Sequence, residues 1–149
     1  MIERRSIGRL VSCLHRLTAS HVHGQLEKYG IGSGQILFLM GLYRSDNINQ
    51  DQLAREVRAD KATCTRAIKK LEKAGYVRRS ADESDRRAYR IHLTEKARKL
   101  RPIIEKVLGD WTKHLLTGFS EEEKERLFNF LERLVANAAA KKQGDDAHV

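Results

Sequence analysis

The chain predicts a mainly α fold with a small β-hairpin (α+β), and three observations predict it. Apolar residues recur at spacings of three and four through most of its 149 residues. The pattern fails only near the middle, where two short alternating runs flank Asp82-Glu83-Ser84-Asp85-Arg86-Arg87. A composition of 40% hydrophobic and 33% charged residues fits a folded helical chain facing water rather than a disordered one. The length suits one domain with an ordinary core.

The elements follow in order. Ile7, Leu10, Val11, Leu14, Leu17, Val22 and Leu26 give a long first helix over residues 3–28, broken by Tyr29-Gly30-Ile31-Gly32. Ser33 offers a cap to a second helix. Its Ile36, Leu37, Phe38, Leu39, Met40, Leu42 and Tyr43 leave little polar surface, which places it centrally. Ser45-Asp46-Asn47 ends it. Asn49 caps a short helix over 50–57, and Asp60 caps the next, over 61–74, which Gly75 closes. Residues 76–80 and 88–93 alternate as two paired strands. Thr94 then caps a long helix toward Leu116 with a stripe from Leu100 to Leu115, and Pro102 inside it predicts a kink. Ser120 and Glu123 form a capping box for a last helix with Leu127, Phe130, Leu131, Leu134 and Val135 on one face. Residues 141–149 are polar and expected to fray. The terminal helices carry more apolar stripe than the middle can cover, so a second copy of the chain is the economical partner, giving a homodimer.

The net charge of +9, from 29 Lys and Arg against 20 Asp and Glu, implies a polyanionic partner, either nucleic acid or an acidic membrane surface. The longest apolar run, residues 36–42, is too short to span a bilayer. No apolar signal core is visible at the amino end, so no membrane association and a cytoplasmic location are expected. Cys13 and Cys64 fall in no metal or redox spacing. The sequence has no glycine-rich phosphate loop, nucleophile elbow or His-Glu-x-x-His. It is therefore not expected to be an enzyme or to carry a cofactor or metal.

The chemistry concentrates in residues 49–93. Cys64, Ala67, Ile68 and Leu71 form the inward face of the helix over 61–74, leaving Lys61, Thr63, Thr65, Arg66, Lys69, Lys70 and Lys73 outside. Between Asp60 and Gly75 five basic residues face two acidic ones. An ordinary solvated face has the same look, and so does a DNA-contacting one. The hairpin adds Arg78, Arg79, Arg86, Arg87 and Arg90 within 13 residues and no Lys. Arginine at a narrow loop tip can enter a minor groove. Two helices, a tight turn and an Arg-tipped hairpin make a winged helix-turn-helix. Its acidic residues suit a brace: Asp85 paired with a neighbouring Arg would fix the loop and leave another Arg at the tip.

Together these segments resemble the MarR family of prokaryotic transcription regulators. The resemblance rests on Gln50-Asp51-Gln52-Leu53-Ala54, the helix opening Asp60-Lys61-Ala62-Thr63, Gly75-Tyr76-Val77, Asp82-Glu83-Ser84-Asp85-Arg86-Arg87 and Leu93-Thr94-Glu95. It implies a homodimer with a dimerisation helix at 1–32, a winged helix-turn-helix at 33–93, C-terminal dimerisation helices at 94–140 and a flexible tail at 141–149. It further implies a helix 61–74 in the major groove and Arg86 at the minor groove, with Asp85 and Arg87 bracing the wing. The expected partner is a pseudo-palindromic double-stranded operator, and the expected role is repression released by a small aromatic or phenolic anion. Two departures concern local geometry: Gly32 stands where relatives often have Thr or Ser, and Ala97 where Gly is frequent.

For the anion, Arg16 on the first helix beside Phe38, Met40 and Tyr43 of the second offers a charge partner and an apolar wall. Arg16 can equally pair with an acid or reach solvent. His15, His21 and His23 lack the spacing of a helical metal site, and a cysteine such as Cys64 on an inward face is usually a small hydrophobe. Two other functions share these features: a winged-helix module for protein contacts, and a sequence-independent architectural DNA binder.

Overall fold

The computed structural model describes residues 5–146 and orders them as α1 (Ile7–Leu26), α2 (Ser33–Arg44), β1 (Ile48–Asn49), α3 (Gln50–Glu56), α4 (Lys61–Lys73), β2 (Val77–Ala81), β3 (Tyr89–Leu93), α5 (Glu95–Leu115) and α6 (Glu121–Asp146). A 3-10 turn, Glu27–Tyr29, follows α1. The chain divides into two compact units, one ending at Trp111 and one beginning at Thr112. A single domain was the expectation. Among the described residues of α6 none is buried.

The core of the first unit reaches beyond the helix-turn-helix. Val22 and Leu26 of α1 and Leu100 and Ile104 of α5 join Phe38, Leu39 and Leu42 of α2, Leu53 of α3, Ile68 and Leu71 of α4, and Ile91 of β3. Burying side chains of this size stabilises by roughly 1.5–3 kcal/mol each before conformational entropy is charged against it. α2 lies at the centre because it is apolar on most sides, although Leu37 remains exposed. Gly41 lets α3 approach α2: a Cβ there would stand 2.8 Å from Val57 Cγ1 and 2.9 Å from Leu53 Cδ1.

Caps set most helix starts. Asn49 Oδ1 accepts from the backbone N–H groups of Asp51 and Gln52. Thr94 Oγ1 accepts from Ala97 N. Ser120 and Glu123 accept from each other's backbone N–H. α1 begins after Ser6, whose hydroxyl accepts from Arg9 N. Residues 3 and 4 of the expected helix lie outside the described residues. For α2 the cap is Gly32 rather than Ser33, because Gln35 Oε1 reaches back to take the Gly32 N–H at 2.8 Å. α6 runs to Asp146, into the segment expected to fray, and residues 147–149 of that segment lie outside the described residues. α5 continues through Pro102.

The sheet has three strands in the order β1-β3-β2, all antiparallel, where a two-stranded hairpin was expected. β1 pairs Ile48 with Ile91 and Asn49 with Arg90, which fixes the root of the hairpin against the start of α3. Two residues are too few to show alternation in a sequence.

Each unit leaves an apolar face open. In the first unit Ile7, Leu10, Val11, Leu14 and Leu17 line α1 at spacings of three and four, with Leu10 at 62% exposure. In the second, Phe130, Leu131, Leu134 and Val135 line α6, with Phe130 at 55%. No helix among the described residues is long and apolar enough to cross a membrane.

Candidate nucleic-acid interface

α4 presents its basic face because Cys64, Ala67, Ile68 and Leu71 are buried beneath it. Lys61, Arg66, Lys69, Lys70 and Lys73 are exposed, while Thr63 and Thr65 are half-buried. Among the described residues no ion pair engages Lys69, Lys70 or Lys73. Lys61 stands 4.0 Å from Asp51 Oδ2, a surface contact of little energy.

The first turns of α4 are held by a chain of hydrogen bonds. Asp60 Oδ1 accepts from Thr63 N at 2.8 Å, and Oδ2 accepts from the Thr63 hydroxyl at 2.7 Å. These bonds hold the Asp60 carboxyl below its usual range, the backbone bond most strongly. Arg66 Nη2 donates to Thr63 Oγ1 at 3.2 Å. The Thr65 hydroxyl donates to Lys61 O at 2.8 Å and accepts from Gln50 Nε2 at 3.1 Å. Gly75, at φ +82°, ends the helix and turns the chain into β2.

The five hairpin arginines divide into two groups. Arg79 makes a two-point contact with Glu72 of α4, Nε to Oε2 at 3.0 Å and Nη2 to Oε1 at 3.2 Å, and lies 4.9 Å from the centroid of the Tyr89 ring. Hydrogen bonding to Glu72 raises its already high pKa further. Arg90 donates to Asn47 Oδ1 and to Asn47 O, and stands 3.5 Å from Asp82. Both therefore build the wing. Arg78, Arg86 and Arg87 are exposed, and no side-chain partner among the described residues occupies their guanidinium groups.

The carboxylate at the centre of the wing is that of Asp82, only 5% exposed. Its Oδ2 accepts from Asn49 Nδ2 at 2.9 Å, and its Oδ1 accepts from the Ser84 N–H and hydroxyl at 3.0 and 2.8 Å. These bonds, Asn49 first, with Arg90 adding its charge, bring the Asp82 carboxyl down to about 2. Asp85 and Arg87, the expected brace, meet through the backbone: Asp85 Oδ1 accepts from Arg87 N at 3.0 Å, and no ion pair between their side chains is present. That bond shapes the turn, whereas Asp82 ties the turn to α3. The observed β2 runs to Ala81, one residue beyond the expected strand, which sets Asp82 directly at its end.

The four expected effector residues have separate employments. Phe38 is closed into the core at 1% exposure, so it offers no open wall. The Tyr43 hydroxyl donates to Ala97 O at 2.7 Å, and burial pushes its pKa up to about 12. Met40 is half-buried against the core. Arg16 is exposed and donates to Ser12 Oγ. Among the histidines His21 stacks on Trp111, with centroids 4.4 Å apart, while His15 and His23 are exposed. No group of three or more His, Cys, Asp or Glu among the described residues could hold a metal. Cys13 is exposed. Cys64 is buried, and that burial raises its thiol to about 11.

Against this geometry stand the likenesses to known proteins. A model of the MarR family matches residues 31–89. The chain is 31% identical, over 133 residues, to the uncharacterised HTH-type transcriptional regulator YybA of Bacillus subtilis (strain 168), covering 89% of this chain and 86% of that protein. Among solved structures, a MarR transcriptional regulator from Methanosarcina mazei Go1 is 43% identical, with a TM-score of 0.85 over 90% of this chain and 96% of that one. A putative MarR family regulator from Listeria monocytogenes, complexed with 26mer DNA, is 26% identical, with a TM-score of 0.84 over 92% and 91%.

Proposed function

The chain belongs to the MarR family, and from that premise we propose that it is a homodimeric repressor reading a pseudo-palindromic operator. It is a DNA-binding transcriptional regulator and not an enzyme. In this reading α4 of each protomer enters a major groove and Arg86 of each wing approaches the adjoining minor groove. The observation that carries it is the division of charge: Lys69, Lys70 and Lys73 stand exposed without acidic partners among the described residues, while the acids nearby are consumed internally. Asp60 caps α4, Glu72 holds Arg79, and Asp82 holds the wing. On α5, by contrast, Arg101 and Glu105 pair along the helix.

The dimer is supported by the open apolar faces of α1 and α6, each of which a second copy would cover. Two copies of α4 related by a twofold axis would meet half-sites about 10 base pairs apart, centre to centre, or a multiple of that. Repression then follows from occupancy of a promoter. Selection of bound sequences from random duplexes at physiological salt tests the whole reading. A palindromic consensus is expected. Salt-sensitive binding without one would mean an architectural binder, and no binding at low salt would mean a protein-contact module.

Release by a small aromatic anion belongs to the same reading, with Arg16 as the charge partner. Its exposed guanidinium is engaged only by Ser12 among the described residues. Phe38 drops out of that site because it is sealed in the core. Titration with salicylate-like acids should raise the melting temperature and weaken DNA binding. If neither moves, the effector is of another kind.

A further inference from the structure

The hydroxyl of Thr65 is doubly used inside the protein. Its single proton goes to Lys61 O, four residues back, and its oxygen accepts from Gln50 Nε2 of α3. The other atom of that amide, Gln50 Oε1, is buried without a hydrogen-bond partner. Leaving a buried carbonyl oxygen unpaired is unfavourable, and here it accompanies an amide whose one bond fixes Thr65. With its proton committed to Lys61 O and one lone pair to Gln50, the hydroxyl can donate to no base, and the methyl group is the apolar contact that Thr65 has to offer. Ala62 lies three residues earlier on the same helix and is exposed, and residues three apart are neighbours on a helix surface. The amino-terminal turns of α4 thus carry two methyl groups set among cations, with Arg66 beside them held by Thr63.

We propose that Ala62 and Thr65 read the 5-methyl group of a thymine, and that Gln50 is the positioning residue that keeps Thr65 methyl-outward. Thymine is the only base with a methyl in the major groove, and alanine and threonine methyls are the groups that recognise it by apolar contact. The amino-terminal end of a recognition helix is where base edges are met. A free hydroxyl on Thr65 could bond to several bases. One whose proton goes to Lys61 O can donate to no base, and Gln50 takes one of its two lone pairs, so discrimination shifts from hydrogen-bond donation toward shape. The inference rests on α4 lying in a major groove, as proposed above.

The test uses the full-length protein and its selected consensus duplex. Each thymine in the half-site is replaced in turn by deoxyuridine, which removes only the methyl, and affinity is read by fluorescence anisotropy. At one thymine per half-site, wild type should weaken about fourfold, the worth of one buried methyl-sized group. Thr65→Val keeps a methyl and should keep that penalty. Thr65→Ser keeps the hydroxyl and its bonds but loses the methyl, so its penalty should shrink to what Ala62 alone contributes. Gln50→Ala should shrink the penalty while leaving the salt dependence unchanged, which a general loss of folding would not do. An undiminished penalty in Thr65→Ser, or no methyl-sensitive thymine at all, would overturn the proposal while leaving the regulator intact. Failure to select any consensus would instead remove the groove-reading premise, and the proposal with it.

Discussion

Lys70→Ala is the perturbation for which the structure makes the sharpest quantitative statement. Lys70 is exposed and sits outside every ion pair among the described residues, so truncating it should break no intramolecular contact. Alanine is at least as good a helix former, so the melting temperature should not fall. All of the effect should appear in DNA binding. Each phosphate neutralised by a cation adds about 0.9 to the slope of log affinity against log salt on duplex DNA. A dimer loses two such contacts, so the slope should flatten by about 1.8. Between 50 and 200 mM salt, a fourfold change, the gap between wild type and variant should then narrow by about 12-fold.

The assay is anisotropy at several salt concentrations, on the selected operator and on an unrelated duplex. Because a phosphate contact carries no base information, both duplexes should weaken to a similar degree. Arg66→Ala is the contrasting case, in which specificity relaxes and affinity for the operator drops by about 1–3 kcal/mol per lost base contact. An unchanged salt slope in Lys70→Ala, with the fold intact by circular dichroism, would refute the placement of this face against the backbone of DNA.

Three other outcomes are expected of this fold. Leu10→Asp should keep the helical spectrum but sediment as a monomer and lose operator binding, because Leu10 is 62% exposed in one protomer; a stable dimer would show that α1 is not the interface. Asp82→Asn should matter less as acid is added. Since the folded carboxyl is lowered to about 2, its contribution is complete above the ordinary carboxylate value of about 3.9 and lost as pH falls through 2, so the melting curves of the two proteins should converge across that window. A gap that ignores pH would mean the carboxylate charge is not what holds the wing. In a Cys13→Ser protein, Cys64 should resist thiol reagents until denaturant opens the core, as expected of a buried thiol raised to about 11; prompt labelling would contradict its burial.

What could be read from the sequence was what is decided locally. Asn49, Asp60, Thr94 and Ser120 were identifiable as caps because a cap bonds to backbone within three residues of itself. The helix order and the inward face of α4 followed from periodicity for the same reason. One miss is local but has no capping side chain at the cap itself, and the others are non-local. Gly32 carries no capping side chain, and only Gln35 reaching back reveals the cap. β1 is two residues long and exists because β3 is beside it. Phe38 could be assigned to a helix but not to a side of it, since a helix apolar on most faces gives period without direction. Arg79, Arg86 and Arg90 look alike in a list of charges. Glu72 and Asn47 employ two of them, Arg86 has no side-chain partner among the described residues, and Asn47 is 43 residues from Arg90 in the chain.

Those non-local bonds join the three parts of the interface to one another. The Asn49 side chain caps α3 with its oxygen and grips Asp82 of the wing with its nitrogen. Gln50, the next residue, ties α3 to Thr65 of α4, and Arg79 ties the wing to Glu72 at the far end of α4. α3, α4 and the wing thus close a ring of side-chain contacts lying outside the apolar core. A helix and a hairpin linked only through packing could shift separately. Here, moving the wing away from α4 means breaking the bidentate Arg79–Glu72 contact or withdrawing Asn49 from a carboxylate that is almost wholly buried. α3, α4 and the wing are therefore expected to move as one piece rather than to deform separately.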